Sequence, residues 1–282
     1  MKKISSLWSF KLTGTAHCTK TQWPADSHIP LHHHNTAQFI YAAQGTLTLE
    51  MPEHILVVPP TRAVWIPAHM NHSIYCSSAL DLLTFQFAQD KLPIDTRQCR
   101  IVQVSALLRA CMLKVEQFPQ QYQADTAQGR LAAVLLDEIN AAPITPFQLP
   151  MPKDKRAKKI AYLFLNQPDT RHPMKDWADQ AGASERTLSR IFQAETAQSF
   201  GAWQQQARIS KSLELLANGS NVTDTALAVG FQSSSAFIAV FNKTIGMTPA
   251  KYFTGNSPVN TEPKAPSSHY NFKWLKGFSL FK

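Results

Sequence analysis

Seven of the ten histidines lie between residues 28 and 72: His28, His32, His33, His34, His54, His69 and His72. Imidazole ligates transition metals and changes charge near neutral pH. His32 and His34 are two residues apart, so on a strand their rings face one side and His33 faces the other. Together with His72 they admit three readings: ligands for a metal ion, polar lining of a small-molecule cavity, or a pH-sensitive cluster. The sequence shows no acid–base pair, nucleophile constellation or phosphate loop elsewhere. Catalysis would have to rest on these histidines alone, so the expectation is a protein that is not an enzyme.

A second constellation lies between Met174 and Phe253, where a pattern occurs twice. Ala178, Gly182, Leu188, Ile191 and Phe192 recur as Ala226, Gly230, Phe237, Val240 and Phe241. Each copy predicts a short helix, a glycine able to take the left-handed conformation, and a second helix capped by Ser184 or Ser233. This is helix–turn–helix logic, in which the second helix enters the major groove. Between the copies, about 18 residues from Phe200 to Ala217 form a helix roughly 27 Å long, with Trp203, Ile209, Leu213 and Leu216 as buried candidates. That length suits recognition helices placed in successive major grooves, about 34 Å apart.

The positions that the core leaves free would face DNA. In the first recognition helix they are Glu185, Arg186, Thr187, Ser189 and Arg190. The two arginines suit guanine edges or phosphates, because guanidinium matches guanine O6 and N7 in two-pronged fashion. In the second helix Ser234, Ser235, Ile238 and Asn242 stand with Ala236 and Ala239, a small uncharged set better suited to positioning than to reading. Arg171, Lys211, Lys243 and Lys251 are phosphate candidates or solvated surface.

The surrounding elements follow from periodicity. Thr46–Glu50 and Leu83–Phe87 alternate as half-buried strands, whereas residues 55–58 and 63–66 are continuous apolar runs. Residues 31–87 therefore read as a barrel or sandwich of short strands. Two amphipathic helices follow, one presenting Leu108, Cys111, Met112 and Val115, the other Leu131, Val134, Leu135 and Ile139. They pack on the strands or meet a second subunit. Residues 141–152 carry four prolines and must be extended.

The chain is 282 residues long, 44% apolar and 17% charged, which describes a globular protein large enough for two cores. Of the net charge of +9, residues 1–150 carry +1, residues 151–253 carry +5 and residues 254–282 carry +3. The basic excess thus sits beside the repeat, where a polyanion would bind. No apolar run reaches the roughly 18 residues of a membrane span, no secretion signal is recognised at the start, and the four cysteines are scattered. A cytoplasmic protein without a membrane partner is expected.

In the second repeat, Gly230-Phe231, Ser233, Ser235, Phe237, Phe241, Gly246, Thr248-Pro249 and Tyr252 resemble the DNA-binding domain of AraC/XylS-family transcriptional regulators. Ala197, where the family usually has glycine, and Ser212, where it usually has alanine, depart from the pattern. The run from His32 through Gln38 to His72 resembles a cupin barrel, with Gln38 where metal-binding cupins carry glutamate. An amide is a poor ligand for a hard or borderline cation, so no cofactor is expected. A cupin pocket implies that His32, His34, Gln38, Tyr41, Trp65 and His72 bind the effector, with Trp65 equally placed to be plain core.

The resemblance implies two domains, an all-β cupin-like barrel with two amphipathic helices and an all-α domain with two helix–turn–helix motifs. The expected divisions are 1–142 for effector sensing and dimerisation, 143–152 as a Pro-rich linker, 153–253 for DNA binding and 254–282 as a flexible tail. The expected partners are double-stranded promoter DNA, a small-molecule effector, a second copy of the chain, and RNA polymerase if the protein is an activator rather than a repressor. The competing expectation is a metal-dependent cupin enzyme with a fused helical domain.

Overall fold

The computed structural model describes residues 16–87, 98–119, 121–145 and 147–254. The expected tail, with its aromatic run from Tyr270 to Phe281, lies outside them apart from Thr254. Nine strands come first: β1 (Ala16–Trp23), β2 (Ser27–His32), β3 (Gln38–Gln44), β4 (Leu47–Glu50), β5 (His54–Val58), β6 (Arg62–Ile66), β7 (His72–Cys76), β8 (Leu80–Phe87) and β9 (Arg100–Gln103). Helices α1 (Ala106–Val115) and α2 (Ala127–Ala141) follow, then two short strands, β10 (Ile144–Thr145) and β11 (Leu149–Pro150).

The strands form two antiparallel sheets, ordered β1-β8-β3-β6-β9-β10 and β11-β5-β4-β7-β2. Strand alternation sorts their side chains onto three packed faces. Ile40, Leu49, Leu56, Val64, Ile74 and Leu82 meet between the sheets. One residue out of phase, Phe39, Tyr41, Trp65 and Phe85 leave the first sheet on its other face and pack beneath α1 and α2. On the outer face of the second sheet, Ile55 and Val57 pack against the C-terminal helices.

Helix α1 buries Leu108, Cys111, Met112 and Val115, the stripe expected from its spacing. Helix α2 differs from expectation: Ala132, Leu135, Leu136 and Ile139 are buried, whereas Val134 is 42% exposed. Gly129 is buried against the loop before the helix, where a Cβ would lie 2.3 Å from the Ala124 carbonyl oxygen, and Ala132 and Leu136 take the core-facing places in which Val134 was expected. Strand β1 was not expected, because as an edge strand rich in Thr, Lys and Gln it pairs only with β8 and lacks an apolar signature.

The proline-rich stretch is stitched to both sheets. β10 pairs with β9 at one edge and β11 with β5 at the edge of the opposite sheet. Proline is tolerated there because an edge strand needs only one ladder partner. Phe147, Leu149 and Met151 are buried along it.

Seven helices complete the described chain: α3 (Lys155–Asn166), α4 (Met174–Ala181), α5 (Glu185–Thr196), α6 (Phe200–Ala217), α7 (Val222–Ala228), α8 (Ser234–Ile245) and α9 (Pro249–Thr254). The pairs α4–α5 and α7–α8 are the two helix–turn–helix units. Ser184 and Ser233 cap α5 and α8, accepting from the backbone N–H of Thr187 and Ala236. Helix α6 joins the units, burying Trp203 in the first core and Ile209 and Leu213 in the second, with Leu216 half-buried beside them. The Ser212 hydroxyl donates to the Ile209 carbonyl at 2.7 Å, so this buried polar departure is satisfied. Ala197 takes the left-handed conformation at φ 59° that glycine would adopt without strain.

The two turn glycines have different surroundings. Gly182 has φ 64° and open space around it. Gly230 has φ 86°, and a Cβ there would lie 2.8 Å from Asp169 Cα and 3.2 Å from the Pro168 carbonyl oxygen. Gly182→Ala should therefore cost about 1 kcal/mol, the left-handed backbone penalty alone. Gly230→Ala should cost clearly more, because backbone atoms must also move. Denaturant titration of both variants checks this; equal losses would count against the close contact.

Candidate functional site

His32 closes β2 and pairs directly across the ladder with His72, which opens β7. His34 lies in the following turn, which is pinned where the His69 N–H donates to the His34 carbonyl at 2.7 Å. The result is a cluster of three imidazoles. Ring centroids are 4.3 Å apart for His32–His72, 4.7 Å for His32–His34 and 5.4 Å for His34–His72. The Nδ1 atoms of His32 and His72 each lie 2.8 Å from a backbone carbonyl, of Pro30 and Met70 respectively. A carbonyl can only accept, so Nδ1 carries the proton in both rings and, in the neutral ring, Nε2 keeps its lone pair.

His72 is fully buried, and its Nε2 has no hydrogen-bond partner among the described residues. Burial, reinforced by the neighbouring imidazoles, pushes the His34 pKa down to about 3. Burial also holds His72 down to about 4, against the opposing pull of the Met70 carbonyl. Burial thus favours the neutral form of His34 and His72.

Gln38 opens β3 and is buried, with its Nε2 also unpartnered among the described residues. Along their strands Gln38 keeps phase with Ile40, and His72 with Ile74, so both point into the space between the sheets.

Tyr41 and Trp65, expected in the same pocket, face the other way. Tyr41 is three residues from Gln38, an odd spacing that reverses the side of the sheet. Trp65 pairs with Phe39 and shares its face. Both lie in the core beneath α1 and α2, where the Tyr41 hydroxyl accepts from Arg109 Nε at 3.2 Å and Trp65 packs 5.7 Å from Phe87. Of the six residues expected to bind the effector, His32, His34 and His72 come together and Gln38 shares the inter-sheet side with His72.

On α5, Glu185, Arg186, Ser189 and Arg190 are exposed and Thr187 is half-buried, while Leu188, Ile191 and Phe192 turn inward. On α8, Ser235 and Asn242 are exposed, Ser234 and Ile238 are half-buried, and Phe237 and Phe241 form the core. Arg171, Lys243 and Lys251 are exposed. Lys211 is not a surface cation: it is buried on α6 and its Nζ lies 3.0 Å from Glu214 Oε2.

The contacts that join the two halves escaped sequence reasoning, since each pairs residues more than 100 positions apart. Arg62, at the far end of β6 from Gln38, is fully buried and stacks over the Tyr252 ring of α9 at 4.1 Å. Its Nε donates to the Thr145 hydroxyl at 3.1 Å and its NH1 to the Thr61 carbonyl at 2.9 Å. The Ser77 hydroxyl, just beyond the end of β7, donates to Glu214 of α6. The Tyr162 hydroxyl of α3 donates to Glu50 of β4. An arginine among apolar strand residues was the one available signal. A groove of about 650 Å³ also opens between the halves, lined by His54, Gln148, Gln205 and Lys243 among others.

The AraC-like ligand binding domain family matches residues 16–134, and the helix–turn–helix domain family matches residues 177–255. NimR, an HTH-type transcriptional regulator of Escherichia coli K12, is 29% identical over 237 residues, covering 84% of this chain and 86% of NimR. RipA, an HTH-type transcriptional regulator of Corynebacterium glutamicum, is 30% identical over 117 residues, covering 42% of this chain and 35% of RipA. Among solved structures, ToxT from Vibrio cholerae O395 aligns with 13% identity and a TM-score of 0.38, over 87% of this chain and 99% of that one.

The Arg62–Tyr252 contact should be measurable as a coupling. A double-mutant cycle of Arg62→Met and Tyr252→Leu should give an interaction energy of about 1–2 kcal/mol in unfolding, as expected for a desolvated cation over an aromatic face. Additive single effects would rule out the coupling.

Proposed function

The chain belongs to the AraC-type transcriptional regulators, with a ligand-binding domain and a helix–turn–helix DNA-binding domain, and we propose how its residues carry out that function. A small molecule enters the space beside His32, His34, Gln38 and His72. Its binding alters the contacts between the two halves and so the engagement of promoter DNA. The observation that carries this reading is the course of two strands. β7 runs from His72 to the Ser77–Glu214 contact, and β6 runs from Ile66, paired with Gln38, to the Arg62–Tyr252 contact. Each spans roughly 13–16 Å of stiff backbone between pocket and DNA-binding domain.

In this reading Arg186 and Arg190 of α5 read base edges or phosphates, Glu185 accepts from cytosine or orients an arginine, and Thr187 and Ser189 complete the contact. Ser234, Ser235, Ile238 and Asn242 of α8 position the second unit on the backbone. The sensing unit extends over 1–142 and the DNA-binding unit over 153–253, joined by 143–152. The exposed side chains Leu107 and Val134 on α1 and α2 suit a contact with a second copy. Acting on promoters places the protein in the cytoplasm, and it works through RNA polymerase where it activates; among the described residues no helix is long and apolar enough to cross a membrane. NimR and RipA are transcriptional regulators, and catalysis is not part of the reading.

Arg186→Ala and Arg190→Ala should each weaken operator binding by about 1–3 kcal/mol, or roughly 5- to 150-fold, and relax preference at one base position if the residue reads a base. Ser235→Ala should cost less. Fluorescence anisotropy with operator and scrambled duplexes at fixed salt measures both. Unchanged affinity and preference in both arginine variants would overturn the assignment of α5 as the reading helix.

A further inference from the structure

We propose that the Nε2 atoms of His32, His34 and His72 form a binding site for a divalent transition-metal ion. The candidate ligand atoms of the three side chains already lie within 4.8 Å of one another. Metal–nitrogen bonds of about 2.0–2.1 Å place tetrahedral ligands about 3.3 Å apart. Small rotations about the side-chain torsions close the difference without moving the strands. The backbone that carries the rings is fixed by the His32–His72 ladder pair and by the His69–His34 hydrogen bond at 2.7 Å.

The hydrogen bonds around the cluster are those a metal site needs. Metal-bound histidines usually donate their other ring N–H to a carbonyl or carboxylate, which fixes the tautomer and raises ligand basicity. Here Pro30 and Met70 supply those carbonyls for His32 and His72, leaving each Nε2 as the donor atom. His72 Nε2 is a buried nitrogen without a partner among the described residues. Leaving such a group unsatisfied is unfavourable, and a bond to a metal ion satisfies it.

The donor set also selects the metal. Three imidazoles suit zinc, cobalt, nickel or copper rather than magnesium or calcium, which take oxygen ligands. Neutral ligands leave the full charge of the ion in place, and three of them leave a coordination position open for water or an anionic molecule. Gln38, whose amide replaces the carboxylate expected of a four-ligand cupin site, points into the same inter-sheet space and can donate a hydrogen bond to an oxygen there. This departs from the expectation of no cofactor, which rested on Gln38 being a poor ligand and not on the three rings.

The site rests on the sensing reading above only for its regulatory meaning. Its test uses the full chain, without an affinity tag, stripped of metal by a chelator and titrated with cobalt chloride. The expected result is the visible absorption of nitrogen-ligated Co²⁺, saturating at one ion per chain and bleached by zinc. His72→Gln and His34→Ala should each weaken binding by about 100-fold or more. His33→Ala, just past the end of β2 with its exposed ring beside His69 and outside the three-ring cluster, should leave it unchanged. His34 is only partly buried in a turn, so this variant serves if His72→Gln fails to fold. Zinc should raise the melting temperature of the parent chain and not of His34→Ala. No saturable 1:1 binding, or binding that survives His34→Ala, would overturn the site. Cobalt binding that leaves operator affinity unchanged supports the site and counts against the sensing reading alone.

Discussion

The arrangement of the two halves depends on a buried guanidinium. Among the described residues no carboxylate pairs with Arg62; its charge is spread over the Thr145 hydroxyl, the Thr61 carbonyl and the face of Tyr252. Burial disfavours its charged form, and the Tyr252 contact opposes that effect. A cation in this position is tolerated only while all three partners stay in place. Each comes from a different part of the chain: the barrel, the connecting stretch and the last described helix. Losing any one leaves the charge undersatisfied, so the barrel, the connector and the second helix–turn–helix unit are held as one arrangement.

Neighbouring contacts share this character. Glu214 and Lys211 are both buried on α6, and Glu214 also takes the Ser77 hydroxyl. Glu50 takes the Tyr162 hydroxyl while burial raises its pKa, with the Tyr162 hydrogen bond and Lys158 opposing the rise. The interface combines apolar packing by Ile55 and Val57 with these satisfied polar groups. Polar contacts of this kind lose most of their stability when their geometry is disturbed. They can therefore convert a small shift in the barrel into a change of state, where a purely oily interface would tolerate sliding.

Reading the chain in one dimension succeeded where a feature is local and failed where it is not. The stripe on α1, the caps at Ser184 and Ser233 and the left-handed turns at Gly182 and Gly230 depend on neighbours within a few residues, and each was visible as a pattern. The cluster of His32, His34 and His72 was visible because the resemblance to a barrel supplied the fold that brings them together. Tyr41 lies on the opposite face because it is three residues from Gln38, and Trp65, open in the sequence between pocket and plain core, is plain core. Lys211 looked like a surface cation because its partner, Glu214, was not read as buried. Strand β1 and the edge strands β10 and β11 are held by partners distant in sequence, and their own residues carry little periodicity.

The duplicated units show what such a repeat conserves within one chain. Their shared positions are the buried ones, where Leu188 and Phe237, or Phe192 and Phe241, fill equivalent places in separate cores. Their exposed faces differ, with arginines on α5 and serines and alanines on α8. Helix α6 fixes both units to one axis, and Arg208 on it donates to the Pro168 carbonyl at 2.8 Å, beside the turn at Gly230. The barrel grips both units through one strand: Ile55 of β5 packs in the core that holds Leu188 and Phe192, and Val57, two residues on, packs in the core that holds Phe237, Phe241 and Tyr252. Residues two apart on a strand share a face, so a shift of β5 would press on both cores together and move the two units as a pair.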